Sequence, residues 1–194
     1  MARQLDHEAR DRAVVEAAWR VISREGMTAL TVRSVAKEAG LAPSSLRYSF
    51  PTQSTVRERA ISAVLERLQE RVTALPRDGA WGESALLELI PVDDEKHTEA
   101  VVWLALEMAA VADVELQPVR ARANAYIRAV CHDVAAWLGS DSDDFVDQLH
   151  AFVDGLTLHV VVRDECTPAW ARRALSIYLN EARQRLEAPG ASRG

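Results

Sequence analysis

The sequence predicts an all-α protein in which a three-helix head, residues 1–52, is joined by a long helix to an all-helical body, residues 53–187. Three observations lead there. Apolar residues recur with the i, i+3, i+4, i+7 spacing of amphipathic helices along most of the 194 residues. Segments rich in Pro, Gly and Asp, at 76–82, 91–94 and 139–144, cut the body into helix-length pieces. In the head, two short helical patterns meet at Gly40, which is the arrangement of a helix-turn-helix.

In chain order, residues 8–25 carry the stripe Ala13, Val14, Ala17, Ala18, Val21 and Ile22, and Gly26 stops the helix. Trp19 adjoins the stripe and reads as packing. Thr31 is placed to cap a helix whose apolar face is Val32, Val35, Ala36 and Ala39, and Gly40 ends it by taking a left-handed backbone. Pro43 opens the next helix, where its missing N–H has no intrahelical partner to lose. Leu46 and Phe50 give that helix one apolar side. Thr52 caps the long helix through Leu75, with Val56, Ala60, Ala63, Val64, Leu68 and Val72 buried. Its Arg57, Glu58, Arg59, Glu66, Arg67, Glu70 and Arg71 are expected on a solvated, ion-paired face.

The body continues with helices over 83–90, 96–114, 118–138, 145–162 and 168–187, and residues 188–194 are expected to form a disordered tail. The last two helices present wide apolar faces. They are suited to a four-helix interface between two copies, for which the expected residues are Phe145, Leu149, Phe152, Gly155, Leu156, Leu175, Tyr178, Leu179 and Ala182. Gly155, mid-helix at a cost of about 1 kcal/mol relative to Ala, suggests that another helix backbone passes close by.

The outer face of the helix from Pro43 decides between functions. Ser44, Ser45, Arg47, Tyr48 and Ser49 are hydroxyls, a guanidinium and a phenol, able to bond base edges and phosphate oxygens. No acidic residue lies between Leu41 and Arg57. Residues 1–75 hold 12 Lys/Arg against 9 Asp/Glu, a balance of +3, in a chain whose net charge is −6, so the remainder carries −9. A basic head on an acidic body suits contact with a polyanion at one end. A helical module that binds a partner protein through the same hairpin, without DNA, remains open on these residues alone.

The run from Gly26 through Ala42, GMTALTVRSVAKEAGLA, with Leu46, Tyr48, Phe50 and Pro51, resembles the N-terminal domain of TetR-family transcriptional regulators over residues 10–60. Val153-Asp154-Gly155-Leu156, Pro168 and the final helix resemble the BetI-like C-terminal domain of the same family over about residues 100–187. Two departures stand out: Arg47 occupies the usual aromatic position, with Tyr48 one residue later, and Gln53 replaces the usual Lys. The first changes which bases are read, and the second removes a phosphate contact.

The resemblance implies a ligand-responsive regulator, a repressor that binds an inverted-repeat operator in double-stranded DNA as a homodimer and is released by a small-molecule effector. DNA contacts are then expected from Thr31, Arg33, Ser44, Ser45, Arg47, Tyr48, Thr52 and Gln53. The effector pocket is expected in the body, lined by Trp103, Glu107, Met108, Tyr126, Trp137 and His159. Glu107 among aromatic rings would favour a cation.

Other chemistry is set aside. His132, His150 and His159 lack zinc-ligand spacing, and the Gly139–Asp144 segment lacks the terminal Glu of a calcium loop, so neither metal nor cofactor is expected. No GxSxG elbow or phosphate-binding Gly loop occurs, which argues against an enzyme. No long apolar run suits a bilayer and no apolar segment follows the charged N-terminus, so a cytoplasmic protein with no membrane partner is expected. Cys131 and Cys166 read as free thiols of a reducing compartment.

Overall fold

Each helix expected from apolar periodicity forms, and the differences lie at the ends. The structure, a computed structural model, describes residues 2–188, with side chains from residue 9 onward. Among these residues the chain forms α1 (Ala2–Glu25), α2 (Val32–Glu38), α3 (Pro43–Ser49), α4 (Gln53–Ala74), α5 (Trp81–Leu89), α6 (Asp94–Ala110), α7 (Gln117–Trp137), α8 (Asp143–Val162) and α9 (Pro168–Glu187). Short 3-10 turns occupy Met27–Ala29 and Val114–Leu116, and there is no strand among the described residues. Except for Ala188, the expected tail at 188–194 lies outside the described residues.

The chain divides into two compact units, Met1–Arg67 with Val101–Arg122, and Leu68–Ala100 with Ala123–Gly194. The first unit is larger than the segment 1–52. Val56, Ala60, Ile61 and Ala63 of α4, Val102, Leu106 and Ala110 of α6, and Leu116 and Val119 share one buried cluster with Val14, Ala18 and Ile22 of α1 and with Val35, Ala36 and Leu46. Trp19 joins α1 to α4: its buried indole N–H donates to the Ala60 carbonyl at 2.8 Å, and the Arg67 guanidinium lies 4.5 Å from its ring centroid. That reading of Trp19 as packing holds.

The arginines of α4 depart from the solvated face expected of them. Arg57 meets Asp113 at 3.0 Å, Arg59 meets Asp11 at 2.6 Å and Arg71 meets Glu99 at 2.7 Å, and all three are half-buried. An arginine lays its methylenes along apolar surface and carries its charge to a distant carboxylate, and the periodicity of one helix says nothing of partners on others. Glu58, Glu66 and Glu70 are exposed as expected.

In the second unit, α5 packs on α8 and α9. The Thr157 hydroxyl donates to the Leu89 carbonyl at 3.1 Å, tying α8 to the end of α5. The end of α4 is fixed to α5 and α6 by a buried ionic network. Arg71 grips Glu99 through both terminal guanidinium nitrogens at 3.1 and 2.7 Å, its Nε reaches Glu88 at 2.8 Å, and Lys96 reaches the other oxygen of Glu88 at 3.1 Å. Both native thiols, Cys131 and Cys166, are free and buried, and burial first, then Asp154, pushes the Cys131 thiol up to about 12. By length and composition α8 is apolar enough to cross a bilayer, contrary to the expectation that no segment is. Its Leu149, Val153, Leu156 and Val160 pack inside the second unit, and Asp147 and Asp154 face out, as in a core helix of a folded domain.

No helix of the same chain makes the close approach expected at Gly155: a Cβ there meets nothing within 4 Å. A close approach does occur at Gly82, where a Cβ would fall 2.2 Å from the Trp137 ring. The same unit corrects the expected interface. Leu149, Leu156, Leu175, Leu179 and Ala182 are buried within the chain itself. An apolar stripe on a helix reports that the face is covered, not whether the cover is the same chain or another.

Glu99 is the most deeply buried member of the ionic network. Glu99→Ala leaves Arg71 partly uncompensated and should lower unfolding free energy by about 3 kcal/mol, read as a lower urea midpoint at unchanged slope.

Candidate nucleic-acid interface

The local signals that build α2 and α3 act as the sequence suggests. The Thr31 hydroxyl accepts the Ser34 N–H at 3.0 Å while the Thr31 N–H donates to the Ser34 hydroxyl at 2.9 Å, a reciprocal cap on α2. Gly40 turns the chain at φ +67°, in the left-handed region. Pro43 starts α3 without any side-chain cap, and Leu46, 1% exposed, pins the helix to the first unit.

With Leu46 inward, Ser44, Ser45, Arg47, Tyr48 and Ser49 are exposed, and Tyr48 is 94% exposed. A phenol so bare has no packing role in the chain. Arg33, in the first turn of α2, is exposed, and Gln53 is half-buried. The Thr31 and Thr52 hydroxyls already accept backbone N–H groups, of Ser34 and Thr55 at 3.0 and 3.2 Å, so their first role is capping.

Electrostatics favour an anion on this face. Glu38, the carboxylate of α2, accepts from Arg20 at 2.9 Å and Arg24 at 3.1 Å, and Asp11 is held by Arg59. Arg33, Lys37 and Arg47 face no carboxylate among the described residues. Sequence reasoning missed Arg10. Its guanidinium donates to the Ser45 carbonyl at 3.1 Å and to the Ser45 hydroxyl, which brings an exposed cation to the edge of α3. Its only sequence signal is a basic residue in the first helix, 35 residues away from the group it holds.

The residues expected to line a pocket fall in both compact units. Trp103, Glu107 and Met108 belong to the first unit and Tyr126, Trp137 and His159 to the second. Met108 is 75% exposed, and Glu107 is paired with Arg120 at 2.9 Å, so its charge is not held for a ligand. His159 lies beside Trp170, ring centroids 6.0 Å apart. Tyr126 is half-buried, and burial, then the charge of Asp133, raises its phenol above the ordinary value.

Comparison with known proteins places the chain in a family. The model described as bacterial regulatory proteins of the tetR family matches residues 14–59, and that for the C-terminal region of BetI-type transcriptional repressors matches residues 78–184. The chain belongs to the TetR family. The TetR-family relative PksA of Bacillus subtilis (strain 168), an HTH-type transcriptional regulator, is 31% identical over 173 residues, covering 84% of this chain and 83% of PksA. A transcriptional regulator from Rhodococcus sp. Rha1 has the same fold, with TM-score 0.79 and 24% identity over 90% of this chain and 96% of that one. The multidrug binding protein EbrR, solved in complex with ethidium, matches with TM-score 0.65 and 25% identity over 87% of this chain and 97% of that one. As a TetR-family member the chain is a transcriptional regulator with a DNA-binding helix-turn-helix, not an enzyme.

The Arg20 and Arg24 hydrogen bonds hold Glu38 below its usual value of 4.5. A depressed carboxylate stabilises the fold at neutral pH and loses that contribution as pH falls through the lowered pKa. Glu38→Gln should therefore lower the melting temperature at pH 7 and show a shallower loss than the wild type on acidification below pH 4.5, measured by circular dichroism.

Proposed function

We propose that the protein is a cytoplasmic, dimeric repressor that binds an inverted-repeat operator and is released by a small-molecule effector. The observation that carries the reading is the α3 face, where Arg47 and a fully bared Tyr48 project from a helix fixed by Leu46. In this reading α3 enters the major groove, Arg47 makes a bidentate contact to guanine, and Tyr48, Ser44 and Ser45 contact phosphate or a thymine methyl. Arg33, Thr52 and Gln53, with Thr31 capping α2, hold backbone phosphates. Two copies place their α3 helices about 34 to 36 Å apart, one turn of DNA.

The outer surface of α8 and α9 supports the dimer. Phe152 stacks on Tyr178 at 4.1 Å, His159 meets Trp170 two turns further along, and Leu158, Val162 and Ile177 are exposed around them. Gly155 lies between the two ring pairs with open space before it. Phe145, Phe152, Gly155 and Tyr178 remain in the proposed interface, joined by Leu158, Val162 and Ile177. The effector is assigned to region 53–187, a reading supported by EbrR binding ethidium. Its effect can be no larger than its differential affinity for the two dimer forms.

Selection from a randomised duplex pool at near-physiological salt tests the DNA reading, with enrichment of one inverted repeat expected and no enrichment overturning it. Arg47→Ala should then cost about 1 to 3 kcal/mol on that operator and relax base preference, whereas Arg33→Ala should weaken all sequences alike and flatten the salt slope.

Ile177 is 59% exposed, so Ile177→Glu should leave the fold intact, since exposed substitutions usually shift stability by less than about 0.5 kcal/mol. Sedimentation should show a monomer; a dimer unchanged by this substitution would place the interface elsewhere.

A further inference from the structure

The segment between α4 and α5 places a guanidinium against an aromatic ring at the mouth of a pocket. Arg77 lies outside any helix, its Cζ 3.8 Å from the centroid of the Trp81 ring. Its nearest carboxylate is Asp133 of α7 at 3.6 Å, and both side chains are more than half exposed. A single contact of that length between exposed groups holds weakly, so the ring does most to fix the guanidinium's place. Around it Arg77, Asp78, Trp81, Asp133, Ala136 and Trp137 line an open pocket of about 340 Å³, the size of sites that take small organic molecules.

The walls of this pocket are built by the fold. Trp81 is buried at the start of α5, and Trp137 packs directly on Gly82, the position where a Cβ would fall 2.2 Å from its ring. Only glycine at 82 lets the Trp137 indole come so close to the first turn of α5. The Asp78 carboxylate is set in place by accepting the Ala80 N–H at 2.9 Å. With Arg77 set apart, the lining itself holds two carboxylates, two indoles, Ala136 and no other cation, although Arg183, outside the lining, lies 5.1 Å from the Trp137 ring centroid.

We propose that this pocket binds a small monovalent organic cation, a guanidinium or alkylammonium group on a short apolar stem, and that Arg77 is the chain's own stand-in for it. The ligand's charged group takes the place over Trp81 now filled by Arg77, with Asp133 as counter-ion. The stem lies against Trp137 and Ala136. Arg77, on a non-helical segment, rotates outward without disturbing a helix. Asp78 and Asp133 disfavour an anion in the same space. The site lies wholly within the second unit and does not rest on the DNA-binding reading, so either can fail without the other.

Because Arg77 competes with the ligand, removing it should strengthen binding, the reverse of what loss of a contact residue does. The test is calorimetric titration of the full-length protein with n-butylguanidinium chloride and with its neutral isostere n-butylurea, at constant ionic strength. Arg77→Ala should bind butylguanidinium saturably and about fivefold or more tighter than wild type. Adding Asp133→Asn should weaken that binding about fivefold or more, and butylurea should not bind. Both substituted side chains are exposed, and unchanged thermal melting shows that the variants fold. Absence of saturable binding in Arg77→Ala, equal binding of the urea, or indifference to Asp133→Asn would each overturn the proposal.

Discussion

A helix of seven residues makes too few backbone hydrogen bonds to stand alone in water, and α3, the helix proposed to meet DNA, is of that length. The order in α3 is borrowed from its surroundings. Leu46 is sunk in a cluster shared with α1, α2, α4 and α6, the Thr31–Ser34 cap fixes the start of α2, and Gly40 sets the angle between the two short helices. Because one side of α3 is committed to burial, the positions left to face a ligand are few and known. The Arg10 contact to Ser45 ties the same helix to α1 from its polar side.

Charge is distributed by pairing as much as by composition. The chain is acidic overall, yet among the described residues Arg33 and Arg47 of its head have no carboxylate partner, while Asp11 and Glu38 are already paired. Asp11 and Glu38 each satisfy a structural arginine, and so they do not oppose a polyanion. The same device, a carboxylate gripped by arginine, reappears in the second unit as a buried network that joins three helices. There it serves cohesion, and no surface is left charged by it.

The helices and their caps were legible in the sequence because their causes are local. Apolar spacing, Thr31, Gly40 and Pro43 act within a few residues of where they stand. The polar face of α3 was legible for the same reason: once Leu46 points in, the neighbouring polar residues must point out. What could not be read depends on which face meets which neighbour. Leu156 and Leu175 fit an interface by pattern and belong to the core by position. Arg71 looked solvated and is gripped by Glu99, 28 residues on. Gly155 suggested a close approach that no helix of its own chain makes, whereas Gly82, placed in a loop by the sequence reading, has one. The pocket beside Trp81 depends on α5 and α7 meeting, which no motif announces.

The two thiols carry a practical consequence. Cys131 and Cys166 are both buried, and with its acidity suppressed to about 12 Cys131 offers almost no thiolate at neutral pH. The molecule is therefore nearly silent to maleimides and other sulfur-seeking dyes in its folded state. A single cysteine introduced at an exposed position would take a fluorophore or spin label cleanly in the unaltered background, and uptake at the two native sulfurs would serve as a clock for unfolding.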